Sequence, residues 1–181
     1  MNKFFVGAAV VLLFVVGGVV IILKSESSTG TTSYSKSSVA STPVSACDVL
    51  TQNIAEQILG PNLTHPDANA GDNSTADLAV SNCSYMTQID ANAKSSGVDV
   101  MVRAATTNAG TQNNKNEFGA YTTAGATTVK GFGDDAFYDP TFHTLNVLKG
   151  GNWYIITSFA DNVTNANLDS DKALAEQLIL K

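Results

Sequence analysis

An uninterrupted apolar segment near the start of the chain constrains its organisation most. Residues 4–23 (FFVGAAVVLLFVVGGVVIIL) are 20 consecutive residues without a charged side chain, a polar side chain or a proline. A helix of this length extends about 30 Å, which matches the hydrocarbon core of a bilayer. The segment is longer than the apolar core of a secretory signal, which is about 7–15 residues. We therefore predict an uncleaved transmembrane signal-anchor helix, with a cleaved signal as the alternative.

The segments that flank this helix predict the topology of the chain. Residues 1–3 are too few to form a domain and would lie in the cytoplasm. Residues 25–46 contain nine serines and four threonines, so they bury too little apolar surface to offset their ordering entropy. We expect residues 24–46 to be a flexible linker, and residues 47–181 to form a domain outside the cytoplasm. The chain would then be a single-pass protein of the cell membrane.

The two cysteines raise the choice between a lipid anchor and a disulfide. The residues up to Cys47, Val44-Ser-Ala-Cys47, have the form of a bacterial lipobox. A lipobox has to adjoin the apolar segment, however, and Cys47 lies 24 residues beyond Leu23. An even number of cysteines in an exported domain indicates a disulfide, here between Cys47 and Cys83. Two free thiols, or a metal pair, are the alternatives.

The charge of residues 47–181 excludes some classes of partner. This part of the chain carries seven basic and fifteen acidic residues, a net charge of −8, and the basic residues are scattered. Binding to nucleic acid and docking on anionic lipid headgroups are therefore disfavoured.

The pattern of apolar and turn residues predicts an α+β domain, with helices packed on a mostly antiparallel sheet. The predicted helices are residues 51–60, 111–121 and 169–181, and the predicted strands are residues 80–87, 97–104, 127–130, 136–138, 144–149 and 153–159. In the first helix Ile54 and Ile58 should share the buried face, and in the second Phe118 and Tyr121 should pack on the sheet. Residues 61–77, rich in Asn, Asp, Gly and Pro, predict a loop.

Short motifs along this domain resemble a family of uncharacterised actinobacterial cell-envelope lipoproteins. The motifs are Cys47-Asp-Val-Leu-Thr51, Ile58-Leu-Gly60, Asn82-Cys83-Ser-Tyr85, Val129-Lys-Gly-Phe-Gly-Asp-Asp-Ala-Phe137, Leu145-Asn-Val-Leu-Lys149 and Ala173-Leu-Ala175. The resemblance implies a disulfide between Cys47 and Cys83 and an α/β sandwich akin to PsbP-like domains. It also implies an exported, envelope-attached and non-catalytic role. The chain departs from the family in its anchor, which is a predicted transmembrane helix.

Two groups of residues have side chains that could serve in catalysis or metal binding. His65 and His143 lie in predicted loops without the spacing of a catalytic triad or a zinc site. Asp134, Asp135 and Asp139 could gather at one end of a hairpin, and with His143 they would form the acidic cluster of a hydrolase, a less favoured alternative. The motif Gly131-Phe-Gly133-Asp lacks a third glycine and a following helix, so it predicts a turn.

Residues 165–176 imitate a calcium-binding EF-hand loop. Their sixth position is Ser170, where such loops require glycine, and helix capping accounts for Asp169 and Asp171. The sequence therefore predicts no bound metal and no cofactor.

Aromatic side chains provide the remaining indication of a binding site. Seven aromatic residues occur between positions 132 and 159, and on alternating strands about half should face outward. We expect Tyr138, Phe142, His143 and Tyr154 to form a patch for a glycan or protein partner.

Together these features predict a non-catalytic binding or sensing domain that a helix tethers to the membrane of the bacterial cell envelope. Its partner would be an envelope protein or glycan. A structural subunit of the cell surface or of a pilus is an alternative, disfavoured by the absence of a pilin processing motif.

Overall fold

The structure, a computed structural model, describes residues 42–64, 66–70, 73–121, 125–160 and 167–179. The predicted membrane helix (residues 4–23) and residues 24–41 of the linker lie outside this part of the chain. Among the helices of the described part, none has the length and apolar character needed to cross a bilayer.

One seven-stranded sheet organises the described residues. The strands are β1 (Asp67–Ala70), β2 (Leu78–Met86), β3 (Gly97–Ala105), β4 (Thr127–Thr128), β5 (Asp135–Asp139), β6 (Thr144–Lys149) and β7 (Asn152–Phe159). Their order across the sheet is β1-β2-β3-β7-β6-β5-β4, and every described pair is antiparallel. The prediction of an α+β fold with an antiparallel sheet is confirmed.

Four helices accompany the sheet: α1 (Ala46–Val49), α2 (Gln52–Leu59), α3 (Asn108–Tyr121) and α4 (Leu168–Ile179). Helix α2 begins as predicted, because the hydroxyl of Thr51 accepts a hydrogen bond from the N–H of Ile54. It ends at Gly60, whose φ of 92° favours glycine. The predicted buried face is correct for Ile54, which packs half-buried against the core beside the fully buried Ala55, and wrong for Ile58, which is 38% exposed.

Two predicted segments need correction. The predicted loop of residues 61–77 contains strand β1, which pairs with β2 over its whole length. This strand has no apolar alternation in its sequence, and it is defined by its backbone pairing with β2. The predicted strand of residues 127–130 is reduced to Thr127 and Thr128, both exposed at the edge of the sheet.

One face of the sheet, here called the core face, packs against α1, α2 and α4. In β3, Val98, Val100 and Val102 are buried on this face and alternate with half-buried residues, as their period of two in the sequence predicts. Leu174 of α4 and Leu50, which follows α1, are fully buried in the same apolar cluster.

The disulfide joins the first helix to this core. The sulfur atoms of Cys47 in α1 and Cys83 in β2 are 2.13 Å apart, and the Cα atoms are 5.1 Å apart. Cys83 is fully buried beside Leu50, whose carbonyl lies 3.7 Å from its sulfur. The predicted pairing of the two cysteines is confirmed.

The opposite face, here called the groove face, packs against α3 alone among the described helices. A small aromatic cluster fixes this helix to the sheet. The ring of Phe118 lies 4.7 Å from that of Phe137 and 5.6 Å from that of Trp153, both in edge-on geometry. Asn114, fully buried in the same helix, donates hydrogen bonds to the carbonyls of Arg103 and Gly151, each at 2.9 Å. Helix α3 is therefore held by polar as well as apolar contacts.

Candidate functional site

Helix α3 forms the wall of a groove on the groove face. Residues that follow each other at intervals of four lie on one side of a helix. Ala109, Asn113, Glu117 and Tyr121 form such a stripe, and all four line the groove. The neighbouring stripe, formed by Gly110, Asn114 and Phe118, is buried against the sheet. The two stripes explain how a helix of low apolar content is both anchored and exposed to a cavity.

The floor of the groove comes from alternate residues of five neighbouring strands. Because successive side chains of a strand point to opposite faces, only every second residue reaches this side. The floor residues are Leu78 and Val80 of β2, Met101 and Arg103 of β3, Trp153 and Ile155 of β7, Thr144 and Asn146 of β6, and Asp139 of β5. With strands about 4.8 Å apart, the groove extends roughly 19 Å across the sheet.

The dimensions of the groove suit a small ligand. Its volume is about 890 Å³, within the range of about 300–1,000 Å³ that small-molecule sites occupy. The apolar residues lie in the middle of the floor, where Met101 and Ile155 are half-buried cross-strand neighbours. Polar side chains lie around them. An apolar cavity with a few fixed polar groups is the usual form of a binding site.

Arg103 provides the positive charge of this groove. Its guanidinium lies 4.9 Å from the centre of the Trp153 ring, forms an ion pair with Glu117, and donates a hydrogen bond to Asn113 Oδ1 at 3.2 Å. The hydrogen bond from the Arg103 guanidinium lowers the pKa of Glu117 below its ordinary value. Among the described residues, the buried Nε of Arg103 has no hydrogen-bond acceptor. The guanidinium is thus held in one place with one donor unused.

Trp153 forms the base of the groove and is fixed in its orientation. Only 2% of the residue is exposed, and its indole N–H donates to Asn146 Oδ1 at 3.0 Å. The amide of Asn146 is itself oriented, since its Nδ2 donates to the hydroxyl of Thr144 at 3.0 Å. A side chain with a hydrogen-bonded orientation keeps the floor of the site rigid before a ligand arrives.

Two exposed aromatic rings lie at the rim of the groove. Phe142 is 70% exposed, and Tyr121 is 50% exposed although its ring contacts that of Trp153 at 5.5 Å. Large apolar groups at the edge of a cavity extend its contact surface for a partner. We therefore regard the groove and its two rings as one candidate binding site.

The structure distributes the four residues of the predicted aromatic patch over two faces of the sheet. Phe142 lies at the groove. Tyr138 and His143 are within the same hairpin, with the Tyr138 hydroxyl 3.3 Å from His143 Nδ1. Burial raises the pKa of Tyr138, and the nearby carboxylates of Asp171 and Asp139 add to the effect. Tyr154 is buried in the core face, opposite Val102 of β3.

The acidic residues that the sequence grouped together are separated by a strand. Asp135 and Asp139 lie at opposite ends of β5, so the predicted cluster at one end of a hairpin is wrong. Two of the three carboxylates accept a hydrogen bond from a turn residue: Asp134 from the N–H of Gly150 and Asp139 from the N–H of Thr141, each at 2.8 Å. The third, Asp135, accepts from the N–H of Ala136 at 2.9 Å. Within the described residues, no three His, Cys, Asp or Glu side chains approach closely enough to hold a metal ion.

The remaining candidate motifs have structural roles where they are described. Residues 131–134 form the turn before β5, as predicted, and a side chain at Gly133 would meet the carbonyl of Leu148 at 2.4 Å. Asp171, part of the calcium-like segment, is fully buried and accepts two hydrogen bonds from Ser158, at 2.6 and 2.8 Å. His65 and residues 165–166 lie outside the described residues.

Sequence reasoning missed most of this site. The sequence contains two patterns that indicate the site. Met101 and Arg103 alternate with the buried valines of β3, and Asn113, Glu117 and Tyr121 recur every four residues in α3. What joins the two patterns is the pairing of β3 with β7, which are far apart in the chain.

Comparison with known protein families, with curated proteins and with solved structures finds no match.

Proposed function

We propose that this chain is a membrane-tethered, extracytoplasmic and non-catalytic binding domain of the bacterial cell envelope, with the groove as its ligand site. The apolar segment of residues 4–23 supports the tether. The Cys47–Cys83 disulfide supports an oxidising compartment, because such bonds are rare in the cytoplasm. The resemblance to cell-envelope lipoproteins agrees with export and envelope attachment, and the kind of anchor is where the chain departs from that family.

The groove is the main support for a binding function. It combines an apolar floor of five strands, a helical wall, and a guanidinium fixed by Glu117 and Trp153. The carboxylates that line it are each engaged by the protein itself. Glu117 pairs with Arg103, and Asp77 accepts a hydrogen bond from the Thr107 hydroxyl at 2.6 Å. Asp139 accepts hydrogen bonds from N–H groups of its turn. Binding is therefore the function that this arrangement supports best.

The binding test uses a fragment that begins at Ser37. Residues 37–181 form one compact unit, which contains the whole sheet, both apolar clusters and the disulfide. The fragment therefore holds every contact described above and omits the predicted membrane helix. The probe is N-phenyl-1-naphthylamine, an uncharged apolar fluorophore whose emission rises when it leaves water.

We expect the probe to bind the fragment saturably, and Ala109→Phe to weaken binding by about tenfold or more, because the added ring would occupy the groove. Ala109 is exposed, so the substitution should leave the fold intact. Ala120→Phe, the same change at an exposed position near the other end of α3, is the matched control and should bind like the wild type. Equal weakening by both variants, or no saturable binding at all, would refute the proposed function.

A further inference from the structure

The charges around the groove specify its ligand further. The described residues that line it include three acidic side chains, Asp77, Glu117 and Asp139, and one basic side chain, Arg103. Since Glu117 pairs with Arg103, the carboxylates of Asp77 and Asp139 remain as the net charge of the site. Such a field disfavours anionic ligands and favours cations.

The two carboxylates lie at opposite ends of an apolar floor. Asp77 directly precedes β2, and Asp139 ends β5, four strands away. Between them lie the apolar side chains of Val80, Met101 and Ile155. The unbranched and polarisable side chain of Met101 adapts well to a flexible chain. The middle of the groove therefore suits an elongated apolar group rather than a second charge.

The end of the groove at Asp139 also contains an exposed aromatic ring. The Asp139 carboxylate accepts a hydrogen bond from the N–H of Phe142 at 3.3 Å, so the carboxylate and the ring belong to one turn. Phe142 is 70% exposed. A cation bound between them would gain from the carboxylate and from the face of the ring together.

We propose that the groove binds an amphiphile with a positively charged head group, its apolar chain on Met101 and Ile155 and its head beside Asp139 and Phe142. This inference rests on the proposed function, since it names the chemistry of the ligand for the same groove. It excludes fatty acids and other anionic amphiphiles as preferred ligands.

The test compares three compounds with the same ten-carbon chain: decyltrimethylammonium, decyl maltoside and decanoate. Each is titrated below its micelle concentration into the fragment of residues 37–181. Trp153 is the only tryptophan of the chain and lies in the groove floor, so its fluorescence reports binding. We expect the cation to bind about three- to tenfold more tightly than decanoate, with the maltoside between them. High salt should reduce this ratio, because it screens the half-buried carboxylates of Asp77 and Asp139.

Two variants that carry the same substitution, aspartate to asparagine, test which carboxylate gives the groove its preference for a cation. Asp139→Asn keeps the oxygen that accepts from the turn and removes the charge, so the preference for the cation should fall. Asp90→Asn makes the same change outside the groove, at a carboxylate that also accepts from two N–H groups of its own turn, those of Asn92 and Lys94. It should leave the preference unchanged.

The outcomes separate this inference from the proposed function. Decanoate binding as tightly as decyltrimethylammonium, or an equal effect of both asparagine variants, would overturn the charge assignment. If none of the three compounds binds, the inference is also overturned. Binding of the uncharged naphthylamine probe, and its loss in Ala109→Phe, would then still support the groove as a binding site.

Discussion

Asp171 is fully buried near the start of α4, and its surroundings change its chemistry. One carboxylate oxygen accepts both hydrogen bonds from Ser158, and the other has no partner among the described residues. Burial raises the pKa of Asp171 from 3.8 to about 7, against the lowering effect of the Ser158 hydrogen bonds. The side chain that sequence reasoning assigned to helix capping thus connects α4 to β7.

This raised pKa makes stability depend on pH. Between pH 4 and pH 7 the folded protein keeps a proton that the unfolded chain has released, so the free energy of unfolding falls as the pH rises. We expect wild type to lose about 2–3 kcal/mol more stability than Asp171→Asn between pH 5 and pH 8 in urea denaturation. Burial also raises the pKa of Asp99, but this residue is present in both proteins. Parallel pH profiles of the two proteins would contradict the assignment.

At the scale of the elements, the disulfide determines where the chain enters the domain. Cys47 lies in α1, a helix of four residues that is too short to be stable alone. Its bond to Cys83 closes a loop with a sequence separation of 36, which stabilises the fold by about 4 kcal/mol in the chain-entropy model. The first helix is therefore held to the sheet by a disulfide, a bond that persists in an oxidising compartment.

The state of this bond in cells tests the proposed location. We expect both cysteines to resist alkylation when cells are lysed in denaturant with a maleimide-polyethylene glycol reagent. Reduction before alkylation should add two polymer chains per protein, as a shift in gel mobility, because the chain has two cysteines, Cys47 and Cys83. Addition of both polymers without reductant would indicate a reducing compartment, and the extracytoplasmic location would be wrong.

The elements were more predictable from the sequence than the site was. The strands containing Val98 and Trp153 and the helix ending at Gly60 have local patterns, and each lies within a few residues of its prediction. Strand β1 was missed because its segment, Asp67–Ala70, has no apolar residue larger than alanine. It is defined by pairing with β2, which a local pattern does not encode.

The candidate site depends on contacts between distant parts of the chain. Arg103 alternates with the buried valines of its strand, which predicts an outward side chain, but its partners are Trp153 on a later strand and Glu117 on α3. Tyr154 was assigned to the surface patch, whereas the alternation in β7 directs it to the core and Trp153 to the groove. Sequence periodicity gives two faces for each strand, and only the packing of α3 shows which face borders a cavity.

At the scale of the whole molecule, we propose that three successive segments of the chain have three different roles. The apolar segment of residues 4–23 would anchor it, the Ser/Thr-rich linker would give it reach, and the disulfide-bonded domain would bind. On the domain, the core face is covered by three helices, and the groove face by α3 alone among the described helices. Stability and binding can therefore vary on opposite faces of one sheet.

The place where the probe binds is the strictest test of the groove as the ligand site. Amide and indole signals of the ¹⁵N-labelled fragment of residues 37–181 can be followed by NMR during titration with N-phenyl-1-naphthylamine. We expect the largest shifts at the Trp153 indole and at the amides of Met101, Glu117 and Ile155, which border the groove. Shifts confined to the surface around Ile89, the exposed apolar residue of the β2–β3 hairpin, would contradict this expectation.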